Sequence, residues 1–68
     1  MFDRQDLEAV SKAYREGKAQ GGLIRAHQRA SDALVGRHPE LSKADEATLT
    51  LRVSQVLSTA VLANYLEI

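Results

Sequence analysis

The chain has 68 residues, no cysteine, and nine acidic against nine basic residues, so its formal net charge is zero. This length allows one domain at most, and the absence of cysteine excludes disulfide bonds and thiolate zinc sites. A net charge of zero gives no overall attraction to nucleic acid or to an anionic membrane. Because residues 3–6 carry three charges and no apolar run follows them, we expect no signal peptide and a cytoplasmic location.

The first predicted helix runs from about residue 3 to residue 18. Asp3 is a favourable N-cap, and the carboxylate of Asp6 suits the positive end of the helix dipole. Apolar side chains recur at the spacing of one helical face: Leu7, Val10 and Tyr14. The adjacent glycines at positions 21 and 22 stop this helix and permit a tight reversal of the chain.

A second helix is predicted from about residue 23 to residue 35. Its apolar face consists mainly of small side chains, which let another helix approach closely: Leu23, Ala26, Ala30, Ala33 and Leu34, flanked by Ile24 and Val35. Gly36 is well placed as the residue that follows the helix, and Pro39 prevents the helix from continuing.

The third and longest helix is predicted from about residue 42 to residue 67. Ser42, followed by Asp45 and Glu46, resembles a capping box, and no glycine or proline occurs from there to the end. Apolar side chains form a stripe at spacings of three and four: Leu49, Val53, Val56, Leu57, Ala60, Val61 and Ala63. Residues 48–53 also alternate with the period of two that is typical of a strand. We favour the helix, because a single strand has nothing to pair with in this chain.

The predicted fold class is all-α, with two short helices and one long C-terminal helix in a small helical-bundle homodimer. The third helix would be about 39 Å long against roughly 20 to 24 Å for each of the others, so nothing covers it from about Val56 onwards. A second copy would cover this apolar overhang, whereas a break near residues 54–55 or a shift of the first helix would cover it within one chain. The predicted self-association or partner interface comprises six residues: Val56, Leu57, Val61, Leu62, Tyr65 and Leu66.

The second helix carries the chain's one local excess of positive charge. Arg25 and Arg29 are the predicted charged contacts with a partner, and the glycine turn before them would add helix N-terminal amides that can hold an anion. The alternative interpretation is a solvated face on which Arg29 pairs with Asp32. A sharper alternative is a helix-turn-helix protein that reads DNA with this helix, although the helix offers few base-reading groups.

Neither catalysis nor metal binding is predicted. His27 and His38 are eleven residues apart with no further metal-ligand pattern around them, so we expect surface histidines. The chain has no nucleophile with an adjacent base and no phosphate-binding loop, so we expect no enzyme and no cofactor. The predicted function is a small non-enzymatic protein–protein interaction module of the adaptor, inhibitor or co-chaperone type. The alternatives are a small dimeric DNA-binding transcriptional regulator and a structural subunit of a helical assembly.

Overall fold

The computed structural model describes residues 2–66, and every regular element in this range is helical. Helix α1 spans Arg4–Arg37, a 3-10 helix spans Pro39–Lys43, and α2 spans Glu46–Leu62. The all-α fold class is therefore confirmed, and the stretch with strand-like alternation lies inside α2. Neither α1 nor α2 is long and apolar enough to cross a membrane.

Helix α1 consists of two arms that are separated by the glycine pair. Gly21 and Gly22 leave the helical conformation, and Gly22 has a φ of 74°, a left-handed value that favours glycine. A straight helix of 34 residues would be about 51 Å long, whereas the longest dimension of the molecule is 29 Å. The chain therefore reverses at the glycines, and the first arm (residues 4–20) lies beside the second arm (residues 23–37).

The two arms are in very close contact at Gly17. A Cβ atom at this position would lie 2.5 Å from the carbonyl oxygen of Arg25 and 2.9 Å from the Cα atom of Ala26. Real Cβ atoms do not approach backbone atoms so closely, so only glycine permits this contact. Beside it, Arg29 of the second arm donates a hydrogen bond of 3.1 Å to the side chain of Gln20.

The core lies where α2 packs against both arms. Val10 of the first arm, Leu34 of the second arm and Val56 of α2 are completely buried. The remaining core residues are small or aliphatic, as the helical periodicity requires: Leu7, Ala30, Val53, Ala60 and Leu66. Small side chains on the second arm and on α2 allow the close helix approach that the sequence indicates.

Helix α2 begins later than the sequence predicts. The predicted start at Ser42 is wrong, because Pro39–Lys43 forms a 3-10 helix and Ala44 is extended. Asp45 is the N-cap instead, since its carboxylate accepts a hydrogen bond of 2.7 Å from the backbone N–H of Thr48. Asp45 and Glu46 therefore lie at the start of the helix, as the sequence suggested, but the cap is Asp45, three residues after the predicted cap Ser42.

Helix α2 also ends earlier than predicted, at Leu62. Asn64 adopts a left-handed conformation with a φ of 66°, which terminates the helix as glycine often does. The N–H of Tyr65 then donates to the carbonyl of Ala60 at 2.8 Å, and the N–H of Asn64 donates to the carbonyl of Val61 at 3.2 Å. These two bonds form a Schellman motif, which turns Leu66 back into the core. Residue 67, the predicted end, lies outside the described residues.

These boundaries remove the overhang that the sequence suggested. At 17 residues α2 is about 26 Å long, close to the length of each arm of α1. Val56 has no solvent exposure and Leu66 is 6% exposed, because the two arms of the same chain cover them. An apolar surface remains on the molecule, and the end of α2 forms only part of it.

Candidate functional site

An apolar groove lies between the second arm of α1 and α2. It consists of two adjoining hollows of about 580 Å³ and about 500 Å³, which share His27 and Ser54. The hollow nearer the glycine turn has an apolar lining from both helices: Leu23, Ile24, Leu49 and Val53. The other hollow continues along the end of α2: Leu57, Val61, Leu62 and Leu66, with Tyr14 from the first arm. We call these two hollows together the groove.

Exposed large apolar side chains are concentrated around the groove. Leu23 is 58% exposed, Ile24 is 77% exposed and Leu62 is 85% exposed, and all three line it. Leu51 is 55% exposed and lines neither hollow. Three of the four large apolar side chains that are exposed within residues 2–66 therefore belong to one surface.

His27 lies in the middle of the groove. Its Nδ1 atom is 2.8 Å from the carbonyl oxygen of Leu23, and since a carbonyl only accepts, Nδ1 carries the proton and donates. The ring also packs edge-on against Tyr14, with 5.4 Å between the ring centroids. These two contacts fix the imidazole as part of the groove wall.

The charge on the groove is acidic and lies at one end. Asp32 and Glu46 line the hollow nearer the glycine turn, and no lysine or arginine lines either hollow. Within the described part of the chain neither carboxylate forms an ion pair. The Arg29–Asp32 pair of the solvated-face interpretation does not form there, because Arg29 donates to Gln20 instead.

The residues predicted as an interface are divided between the groove and the core. Four of them line the second hollow: Leu57, Val61, Leu62 and Leu66. Val56 is completely buried, and Tyr65 lines neither hollow of the groove. The carbonyl of Tyr65 accepts a hydrogen bond of 2.7 Å from Arg15, which fastens the C-terminal turn to the first arm.

Sequence reasoning missed Leu23 and Ile24 as groove residues. Leu23 occupies a core-type position of the helical repeat, but it lies at the very start of the second arm and is left uncovered. Ile24 flanks the apolar stripe, and this was the only signal that could have identified it.

Both predicted charged contacts are exposed on the second arm. Arg25 has one long hydrogen bond, 3.5 Å to the side chain of Gln28 on the next turn. The stems of both arginines lie over glycines, Arg29 over Gly17 and Arg25 over Gly21, but the hydrogen bond from Arg29 to Gln20 is shorter, at 3.1 Å. Arg25 is therefore the freer of the two guanidinium groups.

A separate charged cluster joins the open ends of the two arms. The carboxylate of Asp6 is 2% exposed and accepts hydrogen bonds from Nε of Arg37 and, at 2.9 Å, from Nε2 of His38. The backbone N–H of Asp3 donates to it as well, and Asp6 returns its own N–H to Asp3 in a capping box. His38, expected at the surface, is thus a partner of a buried acid.

Hydrogen bonding shifts the pKa values of this cluster. Burial opposes ionisation of Asp6, but the hydrogen bonds from Arg37, His38 and the Asp3 backbone outweigh burial and lower the pKa of Asp6 to about 2. The hydrogen bond to Asp6 raises the pKa of His38, and Glu40, 3.4 Å from its Nδ1, adds to this effect. The cluster is an ion-paired clamp between the arms.

Residues 2–66 bring together no group of three or more histidine, aspartate or glutamate side chains that could hold a metal ion. The carboxylate of Asp6 accepts from the Asp3 N–H on its own arm and from Arg37 and His38 at the end of the second arm, so its hydrogen bonds serve the fold. The groove is therefore the feature from which a function can be argued.

Comparisons with known proteins assign no family to the chain. No family model matches it, and neither a curated protein nor a solved structure does. Its function has to be inferred from the groove and from the charges around it.

Proposed function

We propose that this chain is a small non-enzymatic protein–protein interaction module that binds another polypeptide through its groove. The observation that carries the proposal is the collection of Leu23, Ile24 and Leu62 around one apolar groove, where each side chain is more than half exposed. Exposed apolar patches of this kind on small proteins mark contact surfaces. A module of this type would serve as an adaptor, an inhibitor or a co-chaperone.

Burial of the groove would supply binding energy. Removing a large aliphatic side chain from water contributes about 1.5 to 3 kcal/mol, so the largely exposed Ile24 and Leu62 would each contribute near this range. The groove runs between two helices of the chain. It therefore suits a helix of the partner whose apolar side chains recur every three and four residues. The unpaired carboxylates of Asp32 and Glu46 favour a partner with positive charge at that end.

The finer architecture that we propose is a small three-helix bundle that works as a homodimer. The two arms of α1 and helix α2 would be the three helices, and a second copy would be the first polypeptide to cover the groove. A foreign partner then contacts the dimer through the charged surface that remains outside, where Arg29, one of the two predicted charged contacts, is exposed.

A small dimeric DNA-binding regulator is the second candidate. Two exposed arginines on the second arm, Arg25 and Arg29, support it. Retention on heparin at low salt that decreases steeply with salt, and that is lost in the Arg25→Ala/Arg29→Ala variant, would favour DNA binding over the groove proposal. Growth past the dimer with concentration would instead favour a structural subunit.

A matched pair of substitutions tests the groove proposal. Ile24→Asp places a charge in the groove, whereas Leu51→Asp places the same charge on an exposed leucine outside it. Two properties are measured for each variant: its mass in solution, and the proteins that it captures from an extract of its native host, quantified by mass spectrometry.

We expect Ile24→Asp to change at least one of the two properties and Leu51→Asp to change neither, with circular dichroism showing that both variants are folded. If both variants behave as the unmodified chain in mass and in capture, the groove is not a contact surface and the proposal is wrong.

A further inference from the structure

We infer that the first occupant of the groove is a second copy of this chain, docked antiparallel along the second arm with reciprocal ion pairs between Arg25 and Asp32. This inference rests on the proposed function, because it names the partner of the same surface. Three observations carry it: the placement of two opposite charges on one flank of the second arm, their lack of firm partners within the chain, and the amount of surface left exposed.

Arg25 and Asp32 lie on the same flank of the second arm. They are seven residues apart, which is two helical turns or about 10.5 Å along the axis. Gln28 lies between them, and Ile24 and Ser31 lie beside this flank on the side of the groove. The arm therefore presents an apolar edge next to a positive charge at one end and a negative charge at the other.

Such an arrangement is complementary to itself only when two copies run antiparallel. In an antiparallel helix pair the same flank of both helices meets, so a two-fold axis near Gln28 places Arg25 of each copy opposite Asp32 of the other. A parallel pair would place equivalent residues at the same height, so Arg25 would have no Asp32 carboxylate at its own level. The charges thus determine the direction of pairing.

Both charges are available for contact between copies. Asp32 forms no ion pair among residues 2–66, and the only hydrogen bond that the Arg25 side chain donates there is 3.5 Å long. Both side chains are exposed. In the antiparallel arrangement Ile24 of each protomer would reach the groove side of its partner, where Leu49 and Val53 form the apolar lining.

The solvent-accessible area of the chain is larger than that of an average folded monomer of the same mass, as expected for a protein that binds a partner. The chain exposes 4754 Å², whereas a folded monomer of its mass, 7.5 kDa, exposes about 4,200 Å² on average. The excess is on the order of 500 Å² per copy, or about 1,000 Å² for two copies, which is the size at which specific interfaces begin. A dimer that covers the groove and the flank beside it would reduce this excess.

A charge exchange tests this arrangement. Sedimentation equilibrium at micromolar concentration is measured for the unmodified chain and for Arg25→Asp, Asp32→Arg and the double variant. We expect the unmodified chain to show twice 7.5 kDa. Each single variant breaks two reciprocal pairs and creates like-charge contacts, so it should weaken dimerisation about tenfold, and the double variant should restore it to within about threefold.

Arg4→Asp is the matched control, because Arg4 is equally a surface arginine in a local pair, 3.3 Å from Glu8, but lies on the first arm. It should leave dimerisation unchanged. Salt provides a second measurement that needs no substitution: dimerisation of the unmodified chain should weaken severalfold between low salt and 0.5 M salt, since exposed ion pairs are screened.

Three results would overturn the inference: a monomer at every concentration, single variants that dimerise as the unmodified chain does, or a double variant that stays weakened. A monomer whose capture of host proteins still depends on Ile24 would refute the second copy as occupant and leave the proposed function standing. A monomer whose capture does not depend on Ile24 would refute both.

Discussion

Replacing Gly17 by alanine should destabilise the protein, although the same replacement stabilises most helices. Alanine is better than glycine inside a helix by about 1 kcal/mol. At Gly17, however, the new Cβ atom would lie 2.5 Å from the carbonyl oxygen of Arg25 and 2.9 Å from the Cα atom of Ala26. Both are backbone atoms, so relief requires the second arm to move as a whole and to disturb its packing on α2.

The magnitude follows from two opposing terms. Overpacking of a close contact costs about 1 to 3 kcal/mol, and backbone neighbours place this site at the upper end. Subtracting about 1 kcal/mol for the better helix propensity of alanine leaves a net loss of about 2 kcal/mol. In a domain of this size such a loss lowers Tm by about 10 °C.

Gly36→Ala is the matched control for this prediction. Gly36 is also within α1, but nothing lies within 4 Å of a Cβ atom built there. We expect it to raise the free energy of unfolding by up to about 1 kcal/mol. Urea unfolding of both variants and of the unmodified chain, followed by circular dichroism at one protein concentration, measures the differences. A Gly17→Ala variant as stable as the unmodified chain would refute the close packing of the two arms.

Three further predictions concern the clamp between the arms and the end of α2. The pKa of Asp6 is about 2 in the folded chain. The ionised carboxylate therefore contributes fully to the free energy of unfolding above about pH 4, and about 2 kcal/mol of this contribution is lost as the pH decreases through 2. Urea unfolding at pH 7 and at pH 2 should show this loss, which Asp6→Asn should lack. The pKa of His38 is raised in the folded chain. The contribution of protonated His38 to the free energy of unfolding is therefore complete below about pH 6.5 and is lost at higher pH. The free energy of unfolding of His38→Gln, measured between pH 6 and pH 9, should lack this dependence. Asn64→Val should lower the free energy of unfolding by about 1 to 2 kcal/mol, because a branched residue is strained at a φ of 66°, and an equal stability in urea would contradict the Schellman motif.

The local signals of the sequence predicted the helices better than their ends. The glycine pair and the apolar periodicity predicted the all-α class and the break between the arms, since both are effects of a few neighbouring residues. The start of α2 was misplaced because Ser42 and Asp45 are both good caps, and only the 3-10 helix before Ala44 decides between them. The end was misplaced because asparagine takes the left-handed position less often than glycine.

The candidate site depended on contacts that the sequence does not encode locally. His38 and Asp6 are 32 positions apart in the chain. They come into contact because the chain reverses at the glycines and aligns the start of the first arm with the end of the second. The exposure of Leu23 and Ile24 likewise depends on where α2 packs along the second arm. The apolar C-terminal segment predicted a contact surface on that segment alone, whereas the groove combines residues of α2 with residues of both arms of α1.

Cross-linking through a single introduced cysteine tests the central claim most directly, because the chain has no cysteine of its own. In the antiparallel dimer two Gln28 side chains lie next to the two-fold axis, within the distance that a disulfide can span. Gln28→Cys should therefore form a covalent dimer of twice 7.5 kDa on mild oxidation, whereas Gln55→Cys, on the exposed side of α2 away from the groove, should remain monomeric in the same time. Equal cross-linking of the two variants, or none in either, would contradict the pairing of two copies along the second arm.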